Sequence, residues 1–197
     1  MQGQSLRVDD AELLRVLEET QQEFPDFTLI PKASVWWMKV ISVLLKIITF
    51  GQMISFMSRY VTTIGNTIYT SELWDDNPPF MKAALIRHER VHMRQRKSMG
   101  SIRYALTYLF WPLPVVFAAG RKRIEMGGYA ESMVAYTEYY GIEFVKLTRI
   151  RERIIGEFTG STYFWTWPFR KSIERWYDGV VSHLEQNPVR NVHAETR

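Results

Sequence analysis

The sequence predicts an α+β fold, mostly helical, in which a small antiparallel hairpin accompanies a set of amphipathic helices. Three observations carry this reading. Apolar residues recur at helical spacing along several long stretches. The β-branched and aromatic runs 60–64 and 67–70 flank Gly65-Asn66, a two-residue turn signal. No internal repeat and no linker rich in Pro, Gly or Ser divides the chain, so its 197 residues, 46% of them hydrophobic, read as one domain over 1–186 and a polar tail over 187–197.

The elements follow in order. Residues 9–23 predict an amphipathic helix with Asp9 or Asp10 as its cap, Leu13, Leu14, Val16 and Leu17 on its apolar face, and Phe24-Pro25-Asp26 as its stop. Residues 35–48 predict a second, more apolar helix that ends at Thr49-Phe50-Gly51. After the hairpin, Asn77-Pro78-Pro79 predicts the start of a third helix, with Asn77 as N-cap, Pro78 in the first helical position and Gly100 as its end. Further helices are expected over 121–140, closed by Gly141, and over 142–158 and 169–185, the last two separated by the aromatic loop 163–168.

Composition excludes several classes. With no cysteine, disulfide scaffolds, thiolate metal sites and cysteine nucleophiles are ruled out, so any metal must be held by histidines and carboxylates. The balance of 25 Lys+Arg against 21 Asp+Glu falls short of a nucleic-acid footprint, and no nucleic-acid partner is expected. The first ten residues lack the basic and apolar blocks of a signal peptide, which makes the cytoplasm the expected address. Two apolar stretches are not expected to span a membrane. In 34–58, Lys39 and Lys46 leave a longest charge-free run of 12 residues, against the ~20 that a bilayer needs. In 104–120, Pro112 and Pro114 interrupt the run. Trp36, Trp37, Lys39 and Lys46 are residue types that sit at a membrane surface, but a buried core helix is the preferred reading of the segment.

Inside the third helix stands His88-Glu89-Arg90-Val91-His92, the H-E-x-x-H pattern, which on a helix sets two imidazoles on one face with a glutamate between them. With His88 at zero on a helical wheel, Met81, Ala84, Leu85, His92, Gln95 and Met99 fall within about 60° of it. Lys82, Arg87, Arg90, Arg94 and Lys97 take the opposite, solvated side. A catalytic zinc needs a third protein ligand. His183 and His193 lack a local pattern, the latter lying in the polar tail, so a carboxylate from the 121–140 helix is the better choice. Glu125 shares its side with Gly128, Tyr129, Ser132, Tyr136, Tyr139 and Tyr140, whereas Glu131 and Glu138 fall on a side expected to be solvated. Gly127 and Gly128 weaken that helix by roughly 1 kcal/mol each, a cost with a purpose if another helix approaches closely.

His88-Glu89-Arg90-Val91-His92, followed 33 residues beyond His92 by Glu125-Met126-Gly127-Gly128-Tyr129, resembles the zincin metallopeptidases of the gluzincin kind. In that group the second pattern often reads E-x-x-A-D. Here Gly128 and Tyr129 stand in place of the Ala and Asp, which leaves the histidines without the carboxylate that usually supports one of them. The chain is also similar in style to small zincin-like proteins of tailed bacteriophages. The resemblance implies a zincin-like architecture, with the H-E-x-x-H helix packed beside the hairpin and a second, ligand-bearing helix. It implies zinc (Zn2+) held by His88, His92 and Glu125, Glu89 as general base, and a peptide or protein as substrate. Tyr129, Tyr136 or Tyr140 would donate to the oxyanion, with Tyr136 the residue assigned, and the hairpin edge would pair with an extended peptide. The alternative implied is a zincin-fold structural or interaction protein that keeps zinc without turnover, with a membrane surface among its candidate partners.

Overall fold

A computed structural model describes residues 2–48, 56–58, 60–110, 118–160, 167–190 and 192. The first helix, α1 (Gln2–Glu23), begins ahead of the expected cap, so Asp9 and Asp10 lie inside it. Its apolar face buries Val16, and Thr20 on the next turn donates its hydroxyl back to the Val16 carbonyl at 2.6 Å. The chain then turns through Phe24, whose carbonyl accepts from the Phe27 amide, into a short strand β1 (Thr28–Pro31) that the sequence reading lacks. After a 3-10 turn over Lys32–Ser34 comes α2 (Trp36–Ile48). The expected stop at Thr49-Phe50-Gly51 lies outside the described residues.

The hairpin forms as expected from β2 (Thr62–Ile64) and β3 (Thr67–Thr70), in the register Thr62↔Tyr69 and Ile64↔Thr67, with Gly65 at φ 66 supplying the left-handed turn residue. It is not an isolated antiparallel pair. β1 adds to the other side of β3 in parallel, Thr28↔Thr67 through Pro31↔Thr70, giving a mixed three-stranded sheet in the order β1-β3-β2. Trp37 of α2 meets Tyr69 of β3 edge to face at 5.2 Å and so ties that helix to the sheet.

Helix α3 (Pro79–Met99) starts one residue later than expected. Asn77 turns its side-chain amide back to the Leu73 carbonyl instead of capping, and Pro78 supplies the carbonyl that the Lys82 amide meets. Gly100, at φ 82, closes the helix, and a helix that the sequence reading lacks, α4 (Ser101–Phe110), follows at once. Then come α5 (Ala119–Tyr140), closed by Gly141 at φ 85, and two helices where one was expected. The stretch 142–158 breaks at the extended Leu147 into α6 (Ile142–Lys146) and α7 (Thr148–Thr159). Helix α8 (Arg170–Gln186) ends where the polar tail was expected to begin, and most of the aromatic loop before it lies outside the described residues.

The described residues divide into two compact units, 1–93 and 94–197, with α3 running unbroken through the boundary. In the first, Val16, Phe24, Phe27, Ile68, Ala83, Ile86 and Met93 form the core. In the second the core is Met133, Val145, Ile154, Ile155, Phe158, Ile173, Tyr177 and Leu184. Two expectations are corrected here. Arg87 and Arg90 are buried rather than solvated, and Arg90 pairs with Glu19 of α1 at 3.1 Å, because α1 covers that flank of α3. Helix α2 is not a core helix: Met38 is buried while Trp36, Val40, Val43, Leu44 and Ile47 are exposed. Among the described residues, no helix is long and apolar enough to cross a membrane.

Candidate metal centre

Four residues of separation place His88 and His92 one turn apart on the same face of α3. Both are buried, and their Nε2 atoms converge to 3.1 Å, the rings meeting edge to face with centroids 4.8 Å apart. Two nitrogens bound to one tetrahedral zinc at 2.0–2.1 Å would stand about 3.3 Å apart, so the pair is already spaced as ligands. Glu89, between them in sequence, is buried as well, and its Oε2 accepts a 2.6 Å hydrogen bond from the Thr63 hydroxyl of β2. The hairpin therefore fixes one oxygen of this carboxylate.

A buried cation faces the same group. Lys32, just past β1, is fully enclosed, donates to the Phe56 and Tyr60 carbonyls at 2.9 Å each, and lies 3.8 Å from the centroid of the Phe56 ring. Burial pushes its ammonium down to about 7, with the Glu89 carboxylate pulling the other way.

On α5, Glu125 is buried, and its Oε1 accepts a 2.7 Å hydrogen bond from the Tyr108 hydroxyl of α4. Tyr108 is itself clamped. Arg121 donates from Nε to the Tyr108 carbonyl at 3.2 Å and lays its guanidinium 5.1 Å from the centre of the ring. The two helices come this close because position 120 is glycine: a Cβ there would stand 2.3 Å from the Thr107 carbonyl oxygen. Gln95, on the histidine face of α3 one turn past His92, donates its amide to the Ile124 carbonyl at 3.0 Å, next to Glu125 in the chain. His88, His92 and Glu125 thus form a buried set in which each offers one ligand atom, all within 4.8 Å of one another. Two imidazoles and a carboxylate are a donor set suited to zinc. Glu157 of α7 is near enough to feel the Glu125 charge, which adds to the burial that raises its own pKa against the pull of Arg153.

The other candidates lie elsewhere. Tyr136 is eleven residues past Glu125, about 16 Å along the helix axis, and its ring packs edge to face on Phe144 at 5.8 Å. Burial raises its pKa. It belongs to the second unit's core and is not brought to the metal set. Tyr129 packs on Phe158 at 5.3 Å and Tyr140 stacks on Phe144 at 4.4 Å. Glu131 and Glu138 are half-buried rather than solvated. His183 is exposed beside Asn187, and His193 lies outside the described residues. The residues that sequence reasoning missed are Thr63, Lys32 and Tyr108. Tyr104 and Tyr108, one turn apart and stacked at 6.1 Å, mark an aromatic helix face that the downstream prolines concealed. Comparison of the chain with family models, with curated proteins and with solved structures finds no match.

Proposed function

We propose that the chain is a zinc-dependent peptide hydrolase, with His88, His92 and Glu125 as the metal ligands and Glu89 as the base. One observation carries the reading: three ligand atoms lie within 4.8 Å of one another, two from α3, which also carries Glu89, and one from α5. Zinc, when bound, supplies an acidified water and a Lewis acid for the scissile carbonyl. Glu89 takes the proton of the attacking water and returns it to the leaving amine, so no proton is gained or lost over the cycle. Because Thr63 occupies Oε2, the proton acceptor is Oε1. Tyr108 holds Glu125 by one oxygen, which fixes the direction of the carboxylate before a metal arrives.

The test joins metal analysis with one substitution. Protein purified without added metal is expected to contain close to one zinc per chain and to cleave an unfolded protein substrate; Glu89→Gln should retain the zinc and lose the cleavage. Absence of metal together with no stabilisation by added zinc defeats the proposal. A second reading, a zinc-holding interaction protein without turnover, is favoured by Tyr129. Where the resemblance expects a supporting carboxylate, this residue packs on Phe158 instead. Stoichiometric zinc in a wild type that cleaves nothing would select that reading.

A further inference from the structure

Helix α2 has two apolar faces. One side meets the protein through Met38, which is buried, and through Ile41 and Leu45, which are half-buried. The other presents Trp36, Val40, Val43, Leu44 and Ile47, with Trp36 75% and Ile47 66% exposed. On a helical wheel these five fall within an arc of about 100°. Exposed Lys39 and Lys46 line one flank of that arc, and residues 27–71 contain no Asp or Glu at all. An apolar stripe with a terminal Trp and flanking lysines, in an acid-free region, matches the layered chemistry of a bilayer surface: acyl chains below, anionic headgroups level with the ammonium groups.

We infer that α2 docks in the plane of an anionic phospholipid surface, with the Trp36–Ile47 stripe immersed and Lys39 and Lys46 reaching up to the phosphates. The helix has 13 residues and is therefore about 20 Å long, too short for the ~30 Å hydrocarbon core, so it lies along the surface. Charge favours lipid over a second copy of the chain: an anionic surface neutralises both lysines, whereas a copy paired antiparallel through this stripe would bring the two lysine flanks together. This inference is independent of the proposed metal chemistry.

Flotation of the full chain with phosphatidylcholine vesicles, with and without phosphatidylglycerol, tests it. Wild type should float with the phosphatidylglycerol vesicles and be released progressively by salt. Lys39→Gln with Lys46→Gln should weaken binding roughly fivefold per lysine. Val43→Glu with Ile47→Glu should weaken it about a hundredfold or more, and all four positions are exposed, so melting temperatures should stay unchanged. Failure of the wild type to float overturns the inference, as does binding that survives both pairs of substitutions. A dimer that Val43→Glu with Ile47→Glu dissociates, with no vesicle binding by the wild type, would assign the face to a second copy.

Discussion

Tyr108→Phe isolates one hydrogen bond at the proposed metal site. The hydroxyl donates to Glu125 Oε1 at 2.7 Å, while the ring is held separately by Arg121 and by stacking on Tyr104, so the substitution should leave α4 in place. A hydrogen bond to a charged group contributes about 1.5–3 kcal/mol, and loss of an outer partner of a metal ligand typically costs 10–100-fold in affinity. Tyr108 is only half-buried, which places the expected loss toward the lower end, about 10–30-fold. Competition for zinc against a chromophoric chelator measures it directly. Thermal unfolding gives an independent reading, because each tenfold loss in affinity removes about 1.4 kcal/mol of the stabilisation that saturating zinc confers. Tyr136→Phe is the internal control and should leave zinc affinity unchanged, since that ring packs on Phe144. An affinity for Tyr108→Phe within threefold of wild type would refute the idea that this phenol orients a ligand.

Three further outcomes follow from the same geometry. Glu125→Ala should lower zinc affinity by at least about a hundredfold and Glu131→Ala should not; an isothermal titration of each variant decides, and the reverse ranking would remove Glu125 from the ligand set. Gly120→Ala would drive a Cβ to within 2.3 Å of the Thr107 carbonyl oxygen. Separating α4 from α5 should cost about 1–3 kcal/mol in denaturant unfolding and weaken zinc binding in step. Lys32 sets a pH dependence with a definite sign. Its folded pKa, about 7, lies below the ordinary 10.5, so the unfolded chain binds the extra proton between those values. The metal-free protein should gain stability as pH rises through that window, by at most about 1.4 kcal/mol per unit, with the burial cost fully present below it. Urea midpoints compared near neutrality and about two units higher should show the rise in wild type and not in Lys32→Met.

How far the fold was legible depended on how local each signal is. Helix α3 and its candidate site are readable because His88 and His92 announce their shared face within five residues, and the hairpin because Gly65-Asn66 sits between two β-branched runs. Strand β1 is not. Its four residues end in proline, and the only partner given by the ladder, β3, lies 39 positions away in a parallel pairing that no turn residue signals. Helix α4 is hidden in the sequence because Pro112 and Pro114 interrupt its apolar stretch, although the helix ends at Phe110, before either proline. The exposure of α2 illustrates a different limit. Periodicity tells which residues share a face, as Trp36, Val40, Val43, Leu44 and Ile47 do, but not what covers that face. Tyr136 marks the same limit along the helix axis: the wheel aligns it with Glu125 correctly and is blind to the three turns between them.

The carboxylates of the candidate centre are held in one common way. Glu89 receives the Thr63 hydroxyl from the sheet, and Glu125 receives the Tyr108 hydroxyl from α4, each on a single oxygen. A hydroxyl donor stabilises the ionised form of a carboxylate and fixes its plane without adding a competing charge. Such support answers the question raised by Tyr129, which packs on Phe158 where the gluzincin pattern carries an aspartate. If Glu125 is the third ligand, its orientation rests on the Tyr108 hydroxyl, and Arg121 holds Tyr108 in turn. Glu89 is held in the same way, so Thr63→Val, by removing the donor that fixes Oε2, should lower kcat of the proposed hydrolysis about tenfold or more while leaving zinc affinity unchanged. A wild-type kcat in Thr63→Val would show that the hairpin does not position the base.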